Sequence, residues 1–204
     1  MPKKLPLETG APLQQLILAS SSSYRKSLLD RLCLPYTAHA PDIDERRLPG
    51  ETPDTMVRRL SESKARAIST LYPDNLIIGS DQVAVIDDYI LTKPGNFAAA
   101  QQQLRRQSGQ KVRFLTGLAL LNSANGSSQV DIITTDVVFR MLKEEEICAY
   151  LERDEPYSCA GSFRSEGLGI TLFDAIHSSD PTALIGLPLI RLCQMLRNEN
   201  YKLL

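Results

Sequence analysis

The chain has 204 residues, 43% of them hydrophobic and 23% charged, with a net charge of -1. That is apolar mass for one domain, or for two lobes sharing a core, and it excludes nucleic-acid binding by bulk positive charge while leaving room for a local basic pocket. No segment approaches the ~20 consecutive apolar residues of a membrane helix, and four scattered cysteines with two histidines favour neither a disulfide framework nor zinc, so reduced thiols in a cytoplasmic protein are expected.

The start, MPKKLPLETGAPLQQ, has two lysines but no apolar stretch of a secretory signal. Residues 1–14 are therefore expected to be a mobile extension, and 15–204 one domain. Leu16 to Ala19 reads as a short buried strand. Four serines, Ser20 to Ser23, follow, and then Leu28, Leu29 and Leu32 recur at helical spacing. Pro35 to Ala40 reads as a second strand, followed by the acidic, Pro-rich loop PDIDERRLPGETPD. Thr52, with Pro53 next, opens a helix expected to run to about Leu71. LIIGSDQVAVI, Leu76 to Ile86, is β-prone but interrupted by Gly79, Ser80 and Asp81, with a turn at Asp87-Asp88. A helix is expected from Asn96 to about Gln107. Two long strands then form a hairpin around Asn125-Gly126. A helix from about Lys143 to Arg153, a Gly-rich stretch from Gly161 to Gly169, a strand near Ile170 to Ile176 and a helix from about Pro188 complete the chain. Early alternation of strands and helices with a later hairpin points to an α/β fold with a mixed sheet.

Several charges sit on apolar faces. Arg25 shares a stripe with Leu28, Leu29 and Leu32, so it continues the core-facing side of its helix. A helix N-terminus with free N–H groups and added hydroxyls suits an anion, most simply a phosphate. The plainer alternative is a capping serine with Arg25 on a surface carboxylate. Lys64 lies within the stripe Val57, Leu60, Ala67, Ile68 and Leu71. It either snorkels to the rim or stays inside, where it needs an acid or a phosphate. Asp42, Asp44 and Glu45 follow a strand, and Asp81 breaks an apolar run. A carboxylate there would bind metal, act as a base or pair with Lys64. Lys93 adds a cation at a strand end. Carboxylates and cations with few softer ligands favour Mg²⁺ or Mn²⁺ and phosphate chemistry. EGLGI lacks the third glycine of a dinucleotide site, and there is no Walker sequence and no nucleophile elbow.

Taken in order, LILASSSSYRKSLL, PDIDE, RLSESKA, IIGSDQV, LTKP, CAGSFRSEGLG and LIGLPL resemble the Maf family of nucleoside triphosphate pyrophosphatases, from about Leu16 to Leu196. The resemblance implies an elongated α/β fold, with a mixed twisted sheet flanked by helices and a deep cleft between two lobes. It also implies cleavage between the α and β phosphates with a divalent metal, Mg²⁺ or Mn²⁺, in a house-cleaning role. Position by position, Asp81 matches the family's water-activating aspartate. Glu45 and Lys64 match its acid and lysine, Lys93 the lysine of its K-P pair, and Ser20 with Arg25 its phosphate-binding corner. Glu45, Asp81 or both would hold the metal. The corner departs from the usual A-S-x-S-P-R-R, because Ser23 replaces the proline and Tyr24 the first arginine.

Tyr24, Gln82 and Glu166 look like the subgroup that acts on 7-methyl-GTP. An aromatic face attracts the cationic 7-methylguanine ring, and a carboxylate can accept both guanine N1–H and the 2-amino group. A buried acid left unpaired by uracil or thymine would penalise those bases. The expected partner is a nucleoside triphosphate, with no nucleic acid, no membrane, and a homodimer left open. The rivals are cleavage of dTTP or UTP, and a nucleotide sensor without turnover.

Overall fold

One mixed sheet organises the chain. Its strands are β1 (Leu16–Ala19), β2 (Tyr36–His39), β3 (Leu76–Ile86), β4 (Tyr89–Leu91), β5 (Lys111–Asn122), β6 (Ser128–Phe139) and β7 (Phe173–Ser178). They lie in the order β2-β1-β3-β5-β6-β7, with β4 added to β3. β1 runs parallel to β2 and β3, and the other pairings are antiparallel. The helices flanking the sheet are α1 (Ser23–Asp30), α2 (Pro53–Ala67), α3 (Phe97–Gln107), α4 (Glu144–Asp154) and α5 (Leu189–Asn198). This computed structural model describes residues 14–87 and 89–204, and among them no helix is long and apolar enough to cross a membrane. The fold is the α/β mixed sheet that the element order implied.

The long strands carry two main cores. Leu16, Leu18, Leu28, Leu76 and Ile78 pack with Leu192 and Met195 of α5 at one end. Ala84, Leu91, Leu104, Phe114, Phe139 and Ile147 form the other core under α3 and α4. β1 pairs with β3 at Leu16–Leu18 opposite Leu76–Ile78, and β4 pairs at Ala84–Ile86. Positions 79–83 of that edge lie between the two ladders and belong to neither. On its other edge β3 pairs with β5 from Leu76 through Val85 without a break. The gap between β1 and β4 is where the cleft opens.

α2 lies close to the sheet at this gap because glycines let it. A Cβ on Gly79 would stand 2.1 Å from the Ser61 carbonyl oxygen, and one on Gly117 2.4 Å from Ser61 Oγ. Asp81 is paired with Gly117 in the ladder, so Lys64, a turn beyond Ser61, comes down beside Asp81.

Four expectations need adjustment. β3 runs straight through Gly79, Ser80 and Asp81, because β5 satisfies its backbone along the whole length. α2 ends at Ala67, and a 3₁₀ turn, Ser69–Leu71, changes the helical phase. Ala67 and Leu71 are therefore exposed, while Ser61 and Ala65 complete the buried stripe. The last strand begins at Phe173, since Ile170 lies in a 3₁₀ segment, Leu168–Leu172. Of the expected N-terminal extension, 1–13 lie outside the described residues, but the Gln14 amide donates to Asn122 Oδ1 at 3.0 Å and belongs with the fold. Of the expected Asp87-Asp88 turn, Asp88 lies outside them as well.

Candidate active site

The nine residues to which the resemblance gives a role line one cleft of about 520 Å³, whereas Asp42 and Asp44 are not among its lining residues and Asp44 pairs with Arg46 at 2.6 Å. The serine corner forms its floor. Ser22 caps α1, its Oγ accepting from the Arg25 N–H at 3.4 Å, and Ser20 Oγ accepts from the Ser22 N–H at 3.1 Å. The remaining N–H groups of the first turn stay open to an incoming anion. Arg25 Nε donates to the Gly186 carbonyl at 2.9 Å and its Nη1 reaches Ser20 Oγ at 3.5 Å. Among the described residues it forms no ion pair, so the surface-carboxylate alternative is not the one seen. Burial draws its pKa below the usual guanidinium value, although Asp81 and Glu45 pull the other way.

Lys64 is 6% exposed, so it stays inside. Its Nζ donates to Asp81 Oδ1 at 2.6 Å and stands 2.8 Å from Glu45 Oε1. Isolated burial of the ammonium would cost several kcal/mol even after relaxation, and the two acids offset that cost. Asp81 is itself 7% exposed. Lys64 engages one oxygen of each carboxylate, leaving Asp81 Oδ2 and Glu45 Oε2 for another partner. Burial pushes the Glu45 carboxyl up, but Lys64, Lys93 and Arg25 outweigh it and hold it below its ordinary value. Lys93 itself lies exposed on the cleft wall just beyond β4.

Tyr24, Gln82 and Glu166 line the same cleft. Tyr24 is half-buried there, and its hydroxyl accepts from Cys159 Sγ at 3.8 Å. Burial raises the Tyr24 phenol, with Cys159 adding to the effect. Burial likewise raises the Cys159 thiol. Gln82 leaves the sheet on the face opposite Asp81, and its Nε2 donates to Thr116 Oγ1 at 2.9 Å and to the carbonyls of Ala183 and Leu184 at 2.9 and 3.0 Å. Glu166 is exposed at the cleft, and among the described residues it accepts only from the Ser165 hydroxyl at 3.3 Å. The buried acid expected at this position is therefore not what the structure shows, since Glu166 is exposed.

Sequence reasoning passed over three supports. Arg164 lines the cleft beside Tyr24 and is held by Asp154, whose Oδ1 lies 2.5 Å from Nη2 and whose Oδ2 accepts from Nε at 3.1 Å. That pairing raises the Arg164 guanidinium above its usual value. Thr116 is fully buried behind Gln82. The turn Ala183–Ile185 turns carbonyls toward β3. Asp180, 1% exposed, fixes that turn to α5 by accepting from the N–H groups of Thr182, Ile190 and Arg191. Arg164 falls within CAGSFRSEGLG, and the turn runs from Ala183 into LIGLPL, but nothing in their periodicity marks these roles.

This is an α/β protein with a mixed sheet whose cleft gathers cations, carboxylates and the Tyr24 ring. More particularly, the chain belongs to the Maf family, whose model for Maf-like proteins matches residues 15–199. It is 56% identical over 185 residues to a protein of Chromohalobacter salexigens named 7-methyl-GTP pyrophosphatase, covering 91% of this chain and 96% of that one. A protein of the same name from Pseudomonas putida is 55% identical, over 90% of this chain and 96% of its own. A third from Pseudomonas syringae is 54% identical over 92% and 97%.

Proposed function

We propose that this protein is a nucleoside triphosphate pyrophosphatase that hydrolyses 7-methyl-GTP to 7-methyl-GMP and diphosphate. The observation that carries the reading is the shared cleft, which gathers all nine candidate residues around the open edge of β3. The names of the relatives support the same substrate.

In this reading the triphosphate lies over the serine corner, where Arg25, Lys64 and Lys93 offset its charge. Water attacks the α-phosphorus, and the bond from that phosphorus to the oxygen bridging toward the β-phosphate breaks. Asp81 takes the water proton on Oδ2, the oxygen Lys64 leaves free. Diphosphate departs with the bridging oxygen.

The donor set fits Mg²⁺ or Mn²⁺: Glu45 keeps Oε2 as a hard carboxylate ligand, and Asp81, whose Oδ2 takes the water proton, would support the ion through bound water. Among the described residues no group of three acidic, His or Cys side chains gathers, so water and phosphate oxygens would supply most ligands. Bound there, the ion would polarise the α-phosphate. On the other side Tyr24 offers its face to the cationic ring, worth about 0.5–2 kcal/mol, while Gln82 and Glu166 accept from the base edge.

The test is diphosphate release by the purified protein with Mg²⁺ or Mn²⁺ across 7-methyl-GTP, GTP, dTTP, UTP and CTP. Preference for 7-methyl-GTP is expected. Preference for dTTP or UTP would keep the chemistry and refute the base assignment, and no release from any nucleotide would leave a sensor.

A further inference from the structure

The Gln82 amide has its orientation dictated by what lies behind it. Its Nε2 lies within 3.0 Å of two backbone carbonyls, those of Ala183 and Leu184. A carbonyl can only accept, so the atom facing the pair has to be the amide nitrogen. A reversed amide would set three oxygens against one another. The Thr116 hydroxyl adds a second constraint. Its single proton goes to the Ala183 carbonyl at 2.9 Å, so toward Gln82 it accepts, again from Nε2 at 2.9 Å. Thr116 is fully buried and Gln82 half-buried on the cleft wall, which leaves the carbonyl Oε1 of Gln82 as the end facing the cleft.

We propose that Thr116 is a positioning residue for base selection: it anchors the amide that the Ala183 and Leu184 carbonyls orient as an acceptor, and Gln82 together with the Glu166 carboxylate selects a ring edge carrying two adjacent N–H donors. The inference rests on the nucleotide reading above and deepens it. Guanine presents N1–H beside its 2-amino group. Hypoxanthine keeps N1–H but lacks the amino group. Uracil and thymine offer one N–H between two carbonyls, and adenine places an acceptor nitrogen beside its amino group. Two acceptors on the protein match only the first of these edges in full. Without the Thr116 hydroxyl, Gln82 loses one anchor and the Ala183 carbonyl loses a donor. The two carbonyls still keep NH₂ inward, but with its Thr116 side unanchored the amide no longer fixes Oε1 where the guanine 2-amino group needs an acceptor.

The experiment compares wild type, Thr116→Val and Thr116→Ser on 7-methyl-GTP and 7-methyl-ITP, with kcat and KM resolved separately. Wild type is expected to prefer 7-methyl-GTP by about tenfold or more, the size of one lost hydrogen bond. Thr116→Val should raise KM for 7-methyl-GTP by about tenfold, hold kcat within about twofold and erase most of the preference. Thr116→Ser, which keeps the hydroxyl, should restore both. Unchanged KM and preference in Thr116→Val would overturn the proposal. So would equal losses in the Val and Ser variants, which would mean that packing and not the hydroxyl matters. Should Thr116→Val fail to fold, Thr116→Ala removes the same hydroxyl with less bulk and is read the same way. Release of diphosphate from 7-methyl-GTP with no discrimination against the inosine analogue sinks this inference alone, whereas no release from any nucleotide sinks the pyrophosphatase reading with it.

Discussion

Lys64 holds two carboxylates at once, and its removal and that of Asp81 should therefore have different consequences. In Asp81→Asn an amide oxygen still accepts from Nζ, and Glu45 keeps its ion pair at 2.8 Å, so the fold is retained. Loss of the proposed general base should lower kcat by about 10²–10⁴-fold. Diphosphate release and a urea unfolding curve on the same preparation check both halves, and a folded Asn variant with wild-type turnover would remove Asp81 from the base role. Lys64→Met does the reverse. It leaves the buried Asp81 carboxylate facing Glu45 with no cation between them, so a loss of about 3–5 kcal/mol in unfolding free energy is expected at neutral pH. This pair of outcomes separates chemistry from scaffolding. That Lys64 and Asp81 were special was legible in the sequence, because each put charge into an apolar pattern. That one ammonium serves both Asp81 and Glu45 was not, since it depends on how closely α2 approaches β3.

That approach is set by Gly79, whose role is spatial and not conformational. An added Cβ would meet the Ser61 carbonyl at 2.1 Å and the Ala65 nitrogen at 2.9 Å, both backbone atoms that cannot swing aside. Gly79→Ala should push α2 off the sheet, destabilise by about 1–3 kcal/mol or more, and lower kcat by drawing Lys64 away from Asp81. Wild-type activity and stability in that variant would mean the helix has slack there. A second clamp joins α2 to the loop that carries Glu45. Arg59 Nε lies 2.6 Å from Glu51 Oε1, and that guanidinium, more than anything else, holds the Glu51 carboxyl near 2, below its ordinary 4.5. A depressed folded pKa stabilises fully above the unfolded value and is lost as pH falls through the folded one. The wild-type urea midpoint should therefore fall between about pH 4.5 and 2 more steeply than that of Glu51→Gln, and parallel curves would show the clamp contributes nothing. Element identity was legible where periodicity was strong, as in the β5–β6 hairpin and in α2 with its Thr52 cap. It faded where tertiary partners decide. Gly79, Ser80 and Asp81 look like a break until β5 is placed beside them. The turn at Ala183–Ile185 exists because Asp180, Arg25 and Gln82 grip it from elsewhere in the chain.

At the scale of the whole molecule the two cores share their strands. β3 carries Leu76 and Ile78 in one core and Ala84 and Ile86 in the other, and β5 carries Leu118 and Leu120 in one and Val112 and Phe114 in the other. Neither core can lose its strands without exposing the partner face of the other, although the cleft at positions 79–83 separates them along one edge. Unfolding is therefore expected to be a single cooperative transition. The chain has seven tyrosines and no tryptophan, and the tyrosines sample both ends: Tyr36 and Tyr201 pack on the core under α5, Tyr150 and Tyr157 with the core under α3 and α4. Near-ultraviolet dichroism of tyrosine and far-ultraviolet dichroism should give coincident urea curves. A nucleotide bridging Arg25 at one wall and Arg164 and Glu166 at the other should move that one transition upward as a unit, by the linkage of binding to the folded state. Two resolved steps, or a ligand that shifts only one of them, would mean that the bare edge of β3 divides the chain into separately folding units, and that the cleft is a boundary between them instead of a break in one edge of a shared sheet.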